Sequence, residues 1–164
     1  YYYDHANKEA QRTAFDEQLA LAAELSLPVV IHTREADEDT RAILANHSSS
    51  LTRKGVIHSF TSSLSLAEYC LSEGFMLGFN GITTFRNADN VRAVVDATPV
   101  ERIVLETDAP YLLPRNMIPT PKDRRNEPAN LPWVCQAVAD AIDETQDGVA
   151  SRTHHNAQHF FGLS

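Results

Sequence analysis

The sequence predicts an α/β protein built on a parallel sheet, with four βα units. Two observations predict the class. Four short apolar runs, near 27–32, 55–59, 75–80 and 102–107, draw on Val, Ile and Phe. They are continuously apolar rather than alternating, as strands covered on both faces are. Between them, apolar residues recur at helical spacing, so the order reads α-βα-βα-βα-βα-α. A third observation bears on chemistry: three of the runs close on a metal-type side chain, His32, His58 and Asp108.

The elements follow in order. Phe15, Leu19, Ala22 and Ala23 mark a helix before the first strand, and Thr40, Ile43, Leu44 and His47 mark one after it. Ala67, Cys70, Leu71 and Gly74 follow the second strand, and Val91, Val94 and Val95 follow the third. Leu131, Val134, Cys135, Val138 and Ile142 follow the fourth, and a short helix around 149–161 closes the chain. Ser63 and Asn87 are the expected N-caps. Strand starts fall 20 to 28 residues apart, enough for one helix per crossover. Four strands make either half of an eight-strand barrel or a small open sheet, and periodicity does not separate the two. The length fits one domain over 1–164. Residues 109–132 break the rhythm with six prolines, which predicts a long ordered loop leaving the fourth strand on the catalytic face.

Composition narrows the function classes. The chain has 164 residues, 43% hydrophobic, with a net charge of −8. No apolar run reaches the roughly 18 residues of a membrane span. The opening Tyr1-Tyr2-Tyr3-Asp4-His5 is not a signal peptide. It lacks a methionine, so a preceding segment is expected. Cys70 and Cys135 sit among apolar neighbours and are expected as buried free thiols, which fits a reducing cytoplasm. The acidic balance argues against a nucleic-acid coat protein, not against an enzyme meeting nucleic acid at one cleft. A Gly-rich phosphate loop, a Cys-x-x-Cys pair and a Gly-x-Ser-x-Gly elbow are all missing from the sequence, so nucleotide-switch and serine-hydrolase readings find no support.

In a parallel α/β protein the strand C-termini open onto one face, where distant residues converge. His32, His58 and Asp108 together suit a hydrolytic divalent-metal site, because imidazole nitrogen and carboxylate oxygen are its usual ligands. Such an ion lowers the pKa of bound water, and an Asp touching ion and water accepts the proton. Asp108 is the candidate for that double role. Glu106 shares a strand face with Asp108, and either joins the site or turns inward to pair with a cation. Arg115, Lys122, Arg124 and Arg125 gather positive charge in the long loop, either as phosphate contacts or as a solvated surface. Phe60, Phe85, Tyr111 and Trp133 are candidates for stacking on unpaired bases, or for packing. His154 and His155, adjacent on one helix, read as surface residues.

Six segments then carry a resemblance. They are Leu-Pro-Val-Val-Ile-His-Thr-Arg (27–34), Gly-Val-Ile-His-Ser-Phe (55–60), Gly-Phe-Asn-Gly (78–81), Leu-Glu-Thr-Asp-Ala-Pro-Tyr-Leu (105–112), Arg-Asn-Glu-Pro (125–128) and the closing Asn156…Phe161-Gly162-Leu163. In this order they resemble the TatD family of metal-dependent deoxyribonucleases. The resemblance implies a TIM-type (β/α) barrel that removes nucleotides from 3′ ends of single-stranded or frayed DNA. It implies Mg²⁺ or Mn²⁺ as cofactor, with Zn²⁺ as an alternative. On the family pattern, His32, His58 and Asp108 match metal or active-site positions. The family's first-strand His-x-His pair and fourth-strand Gly-Glu motif would lie before Tyr1. The chain therefore looks like the C-terminal four βα units, a half-barrel. Its expected partners are DNA 3′ ends and the missing N-terminal half or a second copy, with no membrane. Two other readings stay open: a related hydrolase of small esters or amides, and an inactive half-barrel fragment.

Overall fold

In the computed structural model, which describes residues 1–3 and 5–163, four parallel strands form one sheet in the order β1-β2-β3-β4. They are β1 (Val29–His32), β2 (Gly55–His58), β3 (Met76–Phe79) and β4 (Ile103–Leu105). The α/β class expected from the sequence is what the structure has. Each strand is shorter than its apolar run, because the ends of the runs turn into loops. Asp108 accordingly stands in the loop past β4 rather than closing a strand. Pairing continues one residue beyond β4, where the Glu106 N–H donates to the Phe79 carbonyl at 3.0 Å, and then stops.

Among the described residues six α-helices surround the sheet: α1 (Lys8–Leu25), α2 (Asp37–His47), α3 (Leu64–Ser72), α4 (Asp89–Ala97), α5 (Leu131–Ala141) and α6 (Gln146–Phe161). Their starts follow local chemistry. The Asn7 side chain accepts from the Ala10 N–H at 2.8 Å, and Ser63 accepts from the Leu66 N–H at 3.2 Å. Asn87 does not cap α4 as expected. The cap position is Ala88, with no side-chain bond, because the chain turns helical one residue later. The last helix is also longer than expected, since Thr145 caps it by accepting from the Gly148 N–H at 3.1 Å.

The core lies between the helices α1–α5 and one face of the sheet, where Ile31, Ile57, Leu77 and Ile103 meet Leu44, Val94 and Val138. On the opposite face Val56, Met76 and Val104 are covered by Ala157 and Phe160 of α6. Strands β2 and β3 are thus buried on both faces, as continuous apolarity predicts. Strand β1 departs from that expectation. Val30 is 61% exposed and Leu27 51%, because α6 does not reach the β1 edge and no described strand pairs beyond it.

The 109–132 segment is an ordered loop, as expected. Leu113, Met117 and Asn126 are buried within it. Asn126 donates to the Tyr111 carbonyl at 2.8 Å, and the Arg115 N–H donates to Thr84 Oγ1 at 2.7 Å. Gly81 lets the loop settle on the turn after β3, for a Cβ there would stand 1.9 Å from the Leu112 carbonyl oxygen. Cys70 and Cys135 are buried free thiols, and burial pushes the Cys70 thiol up to about 12. No helix among the described residues is long and apolar enough to cross a membrane.

Candidate metal and hydrolase site

Parallel register brings the strand ends together: His32 lies beside His58, and Ser59, Asn80 and Glu106 follow β2, β3 and β4. The residues that meet are His58, Glu106 and Asp108, with one donor atom from each lying within 4.8 Å of the others. All three side chains are half-buried. His58 Nδ1 stands 2.9 Å from Glu106 Oε2, and His58 Nε2 stands 3.8 Å from Asp108 Oδ2. The backbone N–H of Ser59 donates to Glu106 Oε1. Ser59 holds a left-handed φ of 50°, a conformation non-glycine residues rarely keep without tertiary support. Glu106 reaches across β3 because residue 78 is glycine. A Cβ there would lie 2.7 Å from its carboxylate.

These contacts sort the roles. Both Glu106 oxygens have donors, His58 Nδ1 and the Ser59 N–H. Glu106 therefore fixes the imidazole and directs Nε2 toward Asp108, the arrangement by which a carboxylate orients a metal-ligating histidine. Metal bonds of about 2.0–2.2 Å allow two donors on one ion to stand no more than about 4.4 Å apart. The 3.8 Å between Nε2 and Oδ2 fits that limit, and the donor set suits a divalent ion. The hydrogen bond that His58 donates to Glu106 raises the His58 pKa above its usual value against partial desolvation, and Asp108 adds to the rise.

His32 lies farther out. Its ring centroid is 5.9 Å from that of His58, and it is not among the three clustered donors. Among the described residues no hydrogen bond or ion pair ties it. Desolvation, followed by the neighbouring His58, holds its pKa below the usual value.

A cleft of about 390 Å³ opens over these strand ends, lined by His32, Arg34, Ser59, Phe85, Asp108 and Leu112 among others. Of the cations, Arg34 lines it. Arg115, Lys122, Arg124 and Arg125 are exposed on the loop and do not. Arg115 stands over Phe85, 5.1 Å from the ring centre. Of the four aromatic candidates, Phe85 alone lines the cleft. Phe60 is 2% exposed and serves as core, and Trp133 is half-buried. Tyr111 is 74% exposed outside the cleft. His154 and His155 are exposed on α6, as expected. Sequence reasoning missed Arg34, Ser59 and Asn80. The signal for Asn80 was available: it is the polar residue after the third apolar run, as His32 and His58 are for the first two.

Comparison with known proteins decides the family. The family described as TatD related DNase matches residues 1–162. The chain belongs to the TatD family. It is 47% identical over 156 residues to the 3′-5′ ssDNA/RNA exonuclease TatD of Erwinia amylovora, covering 94% of this chain and 60% of that protein. It is 35% identical to a metal-dependent hydrolase of Bacillus subtilis, YabD, covering 100% of this chain and 62% of that one. The crystal structure of YjjV, a TatD homologue from Escherichia coli, superposes with a TM-score of 0.86 at 29% identity, covering 98% of this chain and 61% of YjjV. The chain thus spans about 60% of the length of these TatD relatives.

Proposed function

We propose that residues 1–164 are one domain, the C-terminal half of a TIM-type (β/α) barrel. Its strand-end face hydrolyses phosphodiester bonds at 3′ ends of single-stranded or frayed nucleic acid. The observation that carries this reading is the convergence of His58, Glu106 and Asp108 at the strand ends, where the 3.8 Å between His58 Nε2 and Asp108 Oδ2 suits one ion. Family membership and exonuclease relatives support it.

A divalent ion, Mg²⁺ or Mn²⁺ with Zn²⁺ as the alternative, supplies Lewis acidity and an activated water when bound. The chain's own residues do the rest. His58 Nε2 and Asp108 Oδ2 would hold the ion, with His32 at the β1 end as a third donor. Glu106 keeps His58 Nδ1 protonated and its ring oriented. The Asp108 carboxylate would accept a proton from the attacking water. Arg34 contacts a phosphate beside the scissile one, while Arg115, Lys122, Arg124 and Arg125 contact flanking phosphates outside the cleft. The exposed Leu27 and Val30 support a further strand beyond β1, supplied by an N-terminal half or a second copy. The two buried free thiols suit the cytoplasm.

The test is incubation with a 3′-labelled single-stranded DNA oligomer, with and without Mg²⁺ or Mn²⁺. Metal-dependent release of label is expected, from this chain or from a version extended upstream of Tyr1. Cleavage of small esters or amides without phosphodiester cleavage in either version would contradict the nuclease reading.

A further inference from the structure

Asn80 is 2% exposed and lies just past β3, between the strand ends that carry His58 and Asp108. Its side chain makes three hydrogen bonds. Nδ2 donates to Asp108 Oδ1 at 2.8 Å and to Ser59 Oγ at 2.7 Å. Oδ1 accepts the Ile82 N–H at 3.0 Å. A backbone N–H is an obligatory donor, so the last bond fixes which end of the amide is oxygen. The NH₂ group must then point at Asp108 and Ser59. One primary amide thus ties together the ends of β2, β3 and β4.

We infer that Asn80 is a positioning residue whose amide commits Asp108 Oδ1 and leaves Oδ2 free to face His58 Nε2. The inference rests on the metal-hydrolase reading above. The chemistry requires an amide. A carboxylate at position 80 would offer no proton at neutral pH and would repel Asp108. A hydroxyl on a shorter side chain would not serve Ile82, Ser59 and Asp108 together. Because the group is buried, its bonds do not compete with water, and removing it frees the Asp108 carboxylate to rotate. Asn80 does not itself line the cleft and reaches it only through Ser59, Ile82 and Asp108, so substrate contact is not part of the role.

A double-substitution cycle tests this on the full chain. In metal-free protein, urea midpoints are measured for Asn80→Ala, Asp108→Ala and the pair. The expected result is non-additivity, since the two side chains bond directly. Additive midpoints would overturn the contact. With Mn²⁺ followed by calorimetry, Asn80→Ala is expected to weaken binding or lower kcat about 10–100-fold, the usual cost of losing a group that orients a metal ligand. KM for the oligonucleotide is expected to hold. Unchanged Mn²⁺ affinity and kcat, or a loss confined to KM, would overturn the positioning role. Asn80→Asp, nearly the same in volume, serves if the alanine variant fails to fold, and its expected loss is larger. If the unsubstituted chain takes up no Mn²⁺, the metal reading fails instead, and the metal-free cycle alone decides whether Asn80 holds Asp108.

Discussion

The site has two unequal sides. At the ends of β2, β3 and β4, His58, Asn80, Glu106 and Asp108 are joined by hydrogen bonds, directly or through Ser59, and stand at or just past the ends of covered strands. At the end of β1, His32 is exposed and untethered among the described residues, on a strand with a bare apolar edge. The two β-edges differ in the same way. On the β4 side the Asn156 amide of α6 donates to the Val100 and Ile103 carbonyls, at 2.8 Å each, while Val30 and Leu27 on the β1 side face solvent. The comparison teaches that a strand-end site is built only as far as its sheet is covered. Where packing fixes the backbone, polar side chains hold one another. Where it stops, a ligand-type residue stands untethered.

Breaking the built side should have the largest effect. Asp108→Asn is expected to reduce metal-dependent turnover to background while the melting curve stays close to that of the parent, checked by label release and calorimetry. Persistent turnover would remove Asp108 from its role. Next comes the packing under that side. Leu77 on β3 is fully buried, and Leu77→Ala is expected to cost about 2–5 kcal/mol in urea unfolding.

Glu106→Gln is expected to weaken Mn²⁺ binding about 10–100-fold. The same variant carries a pH signature. The folded-state pKa of His58 is raised, chiefly by Glu106, so the stability from this pair is fully present below the unfolded value of about 6.5 and is lost as pH rises through the folded one. The stability gap between parent and variant should therefore be widest at acidic pH and close on going alkaline. Protons and metal compete for His58, so parent Mn²⁺ affinity should fall as pH drops through that raised value. A gap that widens with rising pH would contradict the pairing. The smallest effect belongs to the bare edge: Val30→Thr should change stability by no more than about 0.5 kcal/mol.

Much of this division was legible in the sequence. The four apolar runs gave the strands, and His32, His58 and Asp108 marked their ends. What the sequence did not reveal was cooperation between neighbours. Glu106 reads equally as ligand or core partner until Gly78 is seen to open the space it crosses. Asn80 looks like a turn residue until its two ends find Ile82 and Asp108. The first turn of the final helix was missed because Gln146, Asp147 and Gly148 are polar or bare and invisible to an apolar pattern, while the Thr145 cap sets the true start. The exposure of Val30 was hidden for the opposite reason. An apolar strand reads as covered whether or not its cover is within the chain.

Calorimetric titration with Mn²⁺ of the unsubstituted chain and of His58→Ala, Asp108→Ala and His32→Ala tests the central claim most directly. Saturable uptake that is lost in the first two variants and only weakened in the third is the result predicted here. Uptake that survives loss of His58 and Asp108, or no uptake by the unsubstituted chain, would contradict it.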